Sequence, residues 1–411
     1  MTREKPAHSR LQSLAHAGAE LLINGEPVSR LAARVGRTPF YAYDRAALTA
    51  RVAELRAALP AQVQLHYAIK ANPMPAVVDH MRGLVDGFDV ASHREMLVAL
   101  DSGMPAAEIS FAGPAKQPAE LRAAVAAGIC INCESETELA RIADCARELD
   151  LRARVALRVN PAFELKGSGM KMSGSPRQFG IDAARVPAAI ARLHELGLVF
   201  DGLHIFCGSQ NLSADSIIEA NRLTVALAVE LCAAAASRPR FLNIGGGYGI
   251  PYFPGEQPLA LAAVGSALAA TLAEHAAALA DIDIVLELGR FLVGEAGYYV
   301  CRVSDIKESQ GHVFAMVDGG LHHHLANSGN FGQVLRKNYP VVIGNRLGQA
   351  PTQTLSVVGP LCTPLDLVAD RIEAPAVAIG DLVVVLQSGA YGYTASPHHF
   401  LSHPLPLEVL V

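Results

Sequence analysis

From about Tyr43 to Leu288 the chain alternates short apolar runs with longer, Ala-rich amphipathic stretches, and this alternation limits the fold more than any other feature. The strand-like runs are Gln64 to Ile69, Gly87 to Val90, Ile109 to Phe111, Ile129 to Cys133, Arg154 to Val159, Gly202 to Phe206, Phe241 to Ile244 and Asp283 to Glu287. The helix-like stretches are Ala46 to Leu59, Pro75 to Leu84, Arg94 to Ser102, Pro118 to Ala127, Glu136 to Leu149, Val186 to Leu196, Ser213 to Ala235 and Leu259 to Leu279. A strand that returns to the same edge through a helix runs parallel to its predecessor. Eight such units predict an α/β fold closed into a (β/α)8 TIM-like barrel; periodicity alone leaves an open parallel sheet as the alternative.

After Arg290 the texture changes to short β-branched runs separated by turns: Tyr298 to Val303, His312 to Val317, Leu355 to Val358, Ala376 to Ile379 and Leu382 to Gln387. They predict a second, mainly β domain. A run at Pro39 to Tyr43 is placed to join it. The expected divisions are residues 1–42 as an N-terminal segment partly joining the β domain, 43–288 as the barrel, and 289–411 as the β domain. A chain of 411 residues has room for both.

Composition narrows the function. Lys and Arg number 34 against 39 Asp and Glu, and no basic stripe stands out, which argues against a nucleic-acid partner. The most apolar helix, Leu259 to Ala280, carries Glu274 and His275 and reads as a core helix rather than a membrane span. Met1 to Arg10 is not followed by the apolar stretch of a signal peptide, so the cytoplasm is the expected compartment. Seven cysteines fit reduced thiols there. Cys130 and Cys133 form a CxxC, but on a strand residues three apart face opposite ways, so both are expected in the core. His322-His323-His324 is not expected to bind a metal, because three consecutive side chains do not readily face one ion.

In a parallel barrel the chemistry lies at the C-terminal ends of the strands. Lys70 ends the first run, His66-Tyr67-Ala68-Ile69-Lys70-Ala71-Asn72-Pro73. A partly desolvated lysine there can condense with an aldehyde. Gly245-Gly246-Gly247 ends another strand, and a backbone without Cβ atoms can close on a phosphate. Glu287-Leu288-Gly289-Arg290 ends the last strand; taken alone, Glu287 would pair with Arg290.

These segments resemble those of the fold-type III decarboxylases that depend on pyridoxal phosphate (PLP) and act on ornithine, arginine and diaminopimelate, with an alanine racemase-like barrel. The resemblance runs from about Pro39 to the C-terminus. It implies that Lys70 carries PLP as a Schiff base and that Glu287 pairs with the ring nitrogen, so that the ring accepts the electrons released at Cα. It further implies that Gly245, Gly246, Gly247, Ser209 and Gly289 serve the phosphate, with Arg290 toward phosphate and substrate. Asp89, in Phe88-Asp89-Val90-Ala91-Ser92, and Arg158, in Ala156-Leu157-Arg158-Val159-Asn160-Pro161, would line the cofactor pocket. Gly359-Pro360-Leu361-Cys362-Thr363-Pro364-Leu365-Asp366 is similar to the family segment whose cysteine crosses a homodimer interface and protonates Cα, which assigns that role to Cys362. Ser388-Gly389-Ala390-Tyr391 implies a PLP and substrate contact by Tyr391. Arg336 and Tyr339 lie where diaminopimelate decarboxylases hold substrate, at a different spacing.

Two departures bear on substrate. Relatives carry a histidine on the PLP ring where this chain has Phe206, which can stack but cannot bond a carboxylate. His204, two residues earlier, is expected to be a satisfied core histidine. Relatives also carry an acid for the distal ammonium where this chain has Thr363. A free diamino acid therefore fits poorly, and the expected substrate is an amino acid or amino-acid conjugate, with an acyl-carrier protein among the candidate partners. Lys166-Gly-Ser-Gly-Met-Lys-Met, His204-Ile-Phe, His322-His-His, Asn330-Phe-Gly-Gln and Phe400-Leu-Ser-His-Pro are similar to decarboxylases associated with exosortase A systems. Diaminopimelate decarboxylase, an inactive decarboxylase-like binding protein and a PLP racemase are the alternatives. Racemases place an arginine at the ring nitrogen, so Glu287 weighs against the last.

Overall fold

The computed structural model describes residues 7–163, 170–171, 176–331, 333 and 336–411. Its contacts divide the chain into two compact units, one of residues 50–250 and 259–292, the other of residues 1–49, 251–258 and 293–411.

Among the described residues, the barrel of the first unit is built of eight parallel strands: β1 (Val63–Ala68), β2 (Gly87–Val90), β3 (Ile109–Phe111), β4 (Cys130–Cys133), β5 (Arg154–Asn160), β6 (Val199–His204), β7 (Phe241–Gly246) and β8 (Asp283–Leu288). They pair in chain order, and β8 closes on β1 through Ile284↔Val63 to Leu288↔Tyr67. The result is the expected closed barrel. Register and alternation place Gln64, His66, Asp89, Ser110, Asn132, Arg158, His204, Asn243 and Glu287 on its inner side. Phe241, Val285, Cys130 and Ala156 form a small apolar plug there. The outward residues, such as Leu65, Phe88, Val155, Leu203 and Leu286, are buried under the helices. Both cysteines of the CxxC are buried in β4 with free thiols.

Local chemistry sets the helix ends. Ser135 accepts the Glu138 amide at the start of Glu136–Leu149, and Asp150 ends that helix in the left-handed region. Gln117 and Glu120 form a capping box at the start of Pro118–Ala127. The expected single helix Leu259 to Leu279 is instead two, Leu261–Glu274 and Ala276–Leu279, because His275 leaves helical geometry between them.

In the second unit the long strand β9 (Gly297–Ser309) pairs with Phe40–Tyr43, with β10 (His312–Val317) and with β14 (Leu382–Val385). β11 (Val341–Ile343) adds to β14. β12 (Gln353–Val358) lies beside β10, and β13 (Leu367–Ala374) beside β12. Leu407–Leu410 pairs with Phe40–Tyr43. Leu21, Ile23, Leu31, Phe40, Val300 and Val384 build its core. The expected strand Ala376 to Ile379 is not one: it is a turn segment after Pro375, and Ile379 is exposed. The strand at that edge is β13. No helix among the described residues is long and apolar enough to cross a membrane.

Candidate active site

β1 ends in a single turn, Ile69–Ala71, that carries Lys70. The turn is fixed by the Tyr67 hydroxyl, which donates to the Asn72 carbonyl, and by the Asn72 side chain, which accepts the Met74 amide. Lys70 Nζ lies 3.0 Å from Glu287 Oε1, and its side chain remains 39% exposed, so it can be reached by a ligand. Glu287 is buried. Its other oxygen, Oε2, accepts a hydrogen bond from His204 Nε2 at 3.0 Å. Burial pushes the Glu287 carboxyl up, but the Lys70 ammonium and the His204 hydrogen bond outweigh it and hold the group well below the usual carboxylate range. The pairing with Arg290 expected of Glu287 alone is replaced by this Lys70–Glu287–His204 chain. His204 is buried, as expected, but it belongs to the site.

The phosphate-like cradle follows from backbone shape. Gly245 and Gly247 sit at φ +73° and +75°. A Cβ at Gly245, Gly246 or Gly247 would lie 2.7, 2.2 or 1.9 Å from the carbonyl oxygens of Ile205, Glu287 and Gly208. Only glycine fits all three. Asn211 ties this loop down, donating its amide to Gly247 and accepting the Gly249 amide. The Gln210 side chain bonds both the amide and the carbonyl of Ile250. Ser209 adjoins Gly208 on the facing segment. Gly289 packs against the end of β1, where a Cβ would meet that of Ala71 at 2.9 Å. The Phe206 ring lies 5.7 Å from Lys70 Nζ.

Asp89 sits on β2, beside β1, and Arg158 on β5, beside β6, and both are held by other residues. Asp89 is the ladder partner of Ala68; it accepts from Ser110 Oγ and lies 3.4 Å from His66 Nδ1. Arg158 is the ladder partner of His204; it bonds Glu134 Oε1 at 2.8 Å and covers the Phe179 ring. Glu134 also accepts the amides of Gly113 and Gly180, joining three strand-end loops. Sequence reasoning missed His204, Glu134, Gln210 and Asn211. Their partners lie far along the chain or on backbone, and His204 alone offered a signal, a polar residue within a strand.

The remaining candidates belong to the second unit. Cys362 is exposed, on a loop whose ends are gathered by buried Asp366. That carboxylate accepts the amides of Leu321 and Leu361. The Thr363 hydroxyl accepts the Leu365 amide. Tyr391 holds φ +56°, a left-handed backbone that a tyrosine seldom adopts. Tyr339 is buried and stacks on Tyr252 at 4.5 Å. Arg336 donates to the Ser328 carbonyl and to Asn338. His323 bonds Tyr299 and the Pro404 carbonyl, and His324 bonds Ser388. Burial pushes His323 and His324 down to about 3. Among the described residues no group of three or more His, Cys, Asp or Glu is placed to hold a metal. Of the segment Lys166 to Met172, residues 166–169 and 172 lie outside the described residues.

An accessible amine, a buried carboxylate and a bare glycine cradle within one strand-end cluster suit the aldehyde, ring nitrogen and phosphate of PLP. The family model described as the pyridoxal binding domain of pyridoxal-dependent decarboxylases matches residues 45–294. A decarboxylase of Niallia circulans, named for L-glutamyl-[BtrI acyl-carrier protein], is 38% identical over 91% of this chain and 88% of its own. A Staphylococcus aureus decarboxylase of 2-[(L-alanin-3-ylcarbamoyl)methyl]-2-hydroxybutanedioate is 32% identical over 89% of this chain and 92% of its own. The diaminopimelate decarboxylase of M. jannaschii, solved with L-lysine, superposes with a TM-score of 0.88 at 26% identity, covering 97% of this chain and 92% of that one. With that agreement of site, sequence and fold, the chain belongs to the PLP-dependent decarboxylases of fold type III, and it is a carboxy-lyase that uses pyridoxal phosphate.

Proposed function

We propose that this chain removes the α-carboxylate of an L-amino acid whose far end is already bonded to another group, as a carrier-protein thioester or a small-molecule amide. The observation that carries the substrate reading is Thr363. By the family resemblance, Thr363 takes the position at which relatives carry an acid for the distal ammonium; it is uncharged, and its hydroxyl accepts the Leu365 amide. The substrates named for the Niallia and Staphylococcus relatives are a glutamyl group on a carrier protein and an alaninyl group joined through a carbamoyl, both amino-acid conjugates.

When bound, PLP supplies an electron-accepting ring that allows the bond from Cα to the carboxylate to break. In this reading Lys70 anchors the aldehyde, and Gly245, Gly246, Gly247, Ser209 and Gly289 hold the phosphate. Glu287 holds a proton at the ring nitrogen. Asp89 and Arg158 border the pocket through their ladder neighbours, Ala68 and His204. Phe206 offers a ring face and no hydrogen bond. Cys362 of a second copy of the chain delivers the proton to Cα after CO2 leaves, with Tyr391 beside it and Arg290, Arg336 and Tyr339 toward substrate, so the working form is a homodimer.

The test is mass spectrometry of loss of CO2 from glutamate, lysine and diaminopimelate, each free and, for glutamate, loaded on an acyl-carrier protein or joined as an amide. Turnover of the joined forms over the free ones is expected. Preferred turnover of free diaminopimelate would overturn the substrate reading and leave the enzyme class standing.

A further inference from the structure

Glu287 uses both carboxylate oxygens in this structure, one for Lys70 and one for His204. In a PLP-dependent decarboxylase the amine of Lys70 is committed to the cofactor aldehyde. It then ceases to be an ammonium available to Glu287 Oε1, and that oxygen is freed for the ring nitrogen. The proton between Glu287 and the ring nitrogen would then rest on one or the other, and burial favours the neutral carboxyl. A neutral carboxyl cannot hold a proton on the ring. His204 is the remaining donor: buried, 3.0 Å from Oε2, and brought there by the inward face of β6.

We infer that His204 is a positioning residue that keeps the Glu287 carboxylate charged and turned toward the ring nitrogen once Lys70 carries the cofactor. The geometry also selects the form of the histidine. His204 Nε2 donates to the carboxylate, while Nδ1 is buried without a hydrogen-bond partner among the described residues. The hydrogen on Nε2 is therefore the one the geometry requires. The other charged or titratable groups nearby have separate engagements. His66, the ladder partner of Glu287, faces Asp89. Arg158, the ladder partner of His204, is held by Glu134. Glu95, within electrostatic reach of Lys70, accepts the Ala91 amide.

The inference rests on the PLP assignment and is tested with the loaded enzyme and two variants. His204→Phe removes the donor at similar size; His204→Gln keeps a neutral N–H donor. The readouts are the nitrogen-15 shift of labelled PLP in the protein, the visible band across a pH series, kcat with KM, and the thermal midpoint of cofactor-free protein. In wild type the ring nitrogen is expected to be protonated at neutral pH, with His204 nitrogen-15 shifts showing a hydrogen on Nε2. In His204→Phe the ring nitrogen is expected to lose its proton at lower pH, and kcat to fall with the protonated fraction, by at most about tenfold for each unit by which that titration drops below the assay pH, with little change in KM. His204→Gln is expected to restore both. A purely structural histidine would instead lower the thermal midpoint and leave the ring protonation in place. A ring nitrogen that stays protonated in His204→Phe at wild-type kcat overturns the inference, as does a wild-type His204 with no hydrogen on Nε2. If His204→Phe does not fold, the wild-type imidazole shifts and the His204→Gln titration decide it alone. Wild-type protein that takes up no PLP would overturn the cofactor assignment and this inference together.

Discussion

Gly247→Ala tests the cradle most directly. The residue holds φ +75°, and a Cβ there would sit 1.9 Å from the Gly208 carbonyl oxygen. Contacts that close do not occur, so the glycine loop and the Gly208–Ser209 segment must separate by about 1 Å, and neither side is a flexible side chain. The left-handed backbone costs an alanine about 1–2 kcal/mol and the forced separation about 1–3, a range of about 2–5 kcal/mol together. For a unit of this size that lowers the thermal midpoint by roughly 4–20 °C. The larger consequence is for PLP. The separation takes the Gly246 and Gly247 amides away from Ser209, and losing one charged-group hydrogen bond at about 1.5–3 kcal/mol weakens PLP roughly 10- to 150-fold. Titration of dialysed protein with PLP, followed by absorbance, measures this. Gly128→Ala is the control: it has φ +74° with nothing within 4 Å of the added methyl group, so it bears the backbone cost and leaves PLP affinity unchanged. If Gly247→Ala bound PLP within about twofold of wild type, the cradle assignment would fail.

Four further outcomes are expected. Lys116→Met strips a buried ammonium from Glu138 and from the Gly113 and Asn132 carbonyls and should cost about 3–5 kcal/mol in urea unfolding, with part recovered by adding Glu138→Leu. Because the folded state holds the Glu287 carboxyl below its ordinary range, its contribution is present above the unfolded value of about 4.3 and is lost as pH falls below it. The stability gap between cofactor-free wild type and Lys70→Met should therefore be steady above about pH 5 and narrow in acid; a gap independent of pH down to the acid transition would contradict the ion pair. Cys362→Ala should keep its PLP band and lose about 100- to 10,000-fold in kcat if the thiol is the proton donor. Thr363→Asp should raise turnover of free diamino acids relative to conjugates, and equal ratios in both proteins would remove Thr363 from the specificity argument.

The barrel was legible because its strands are short apolar runs separated by helices, several of which carry their own start signal. Gly87–Val90, Ile109–Phe111, Pro118–Ala127 and Glu136–Leu149 fall on their expected bounds. The β unit was read less well. β13 carries Asp370, Arg371 and Glu373, so it looks like a loop, yet it pairs on one edge with β12. Ala376 to Ile379 looks like a strand by composition and has no ladder partner. Lys70 and Glu287 stood out because they end strands. His204 did not, because both faces of a parallel barrel strand are buried and alternation alone cannot say whether a polar residue faces the centre or the helices. Its partner is 83 residues away, and only closure of the barrel brings the two together.

That closure explains why the inside of this barrel can be so polar. Barrels of this type usually fill their centres with branched apolar side chains. Here the apolar interior shrinks to Cys130, Ala156, Phe241 and Val285, and the inward positions toward the strand ends carry His66, Asp89, Asn132, Arg158, His204 and Glu287. Isolated buried charges would neutralise or unfold the unit. Each charge instead has an opposite or donating neighbour: His66 beside Asp89, Arg158 on Glu134, Lys70 and His204 on Glu287. Hydrophobic stabilisation must then come from the outward layer, where Leu65, Val155, Leu157, Leu203, Leu242 and Leu286 are sealed by the helices. Folding and chemistry are thereby assigned to opposite faces of the same strands, and inward residues can be set by the needs of a charged cofactor while the outer face holds the barrel closed.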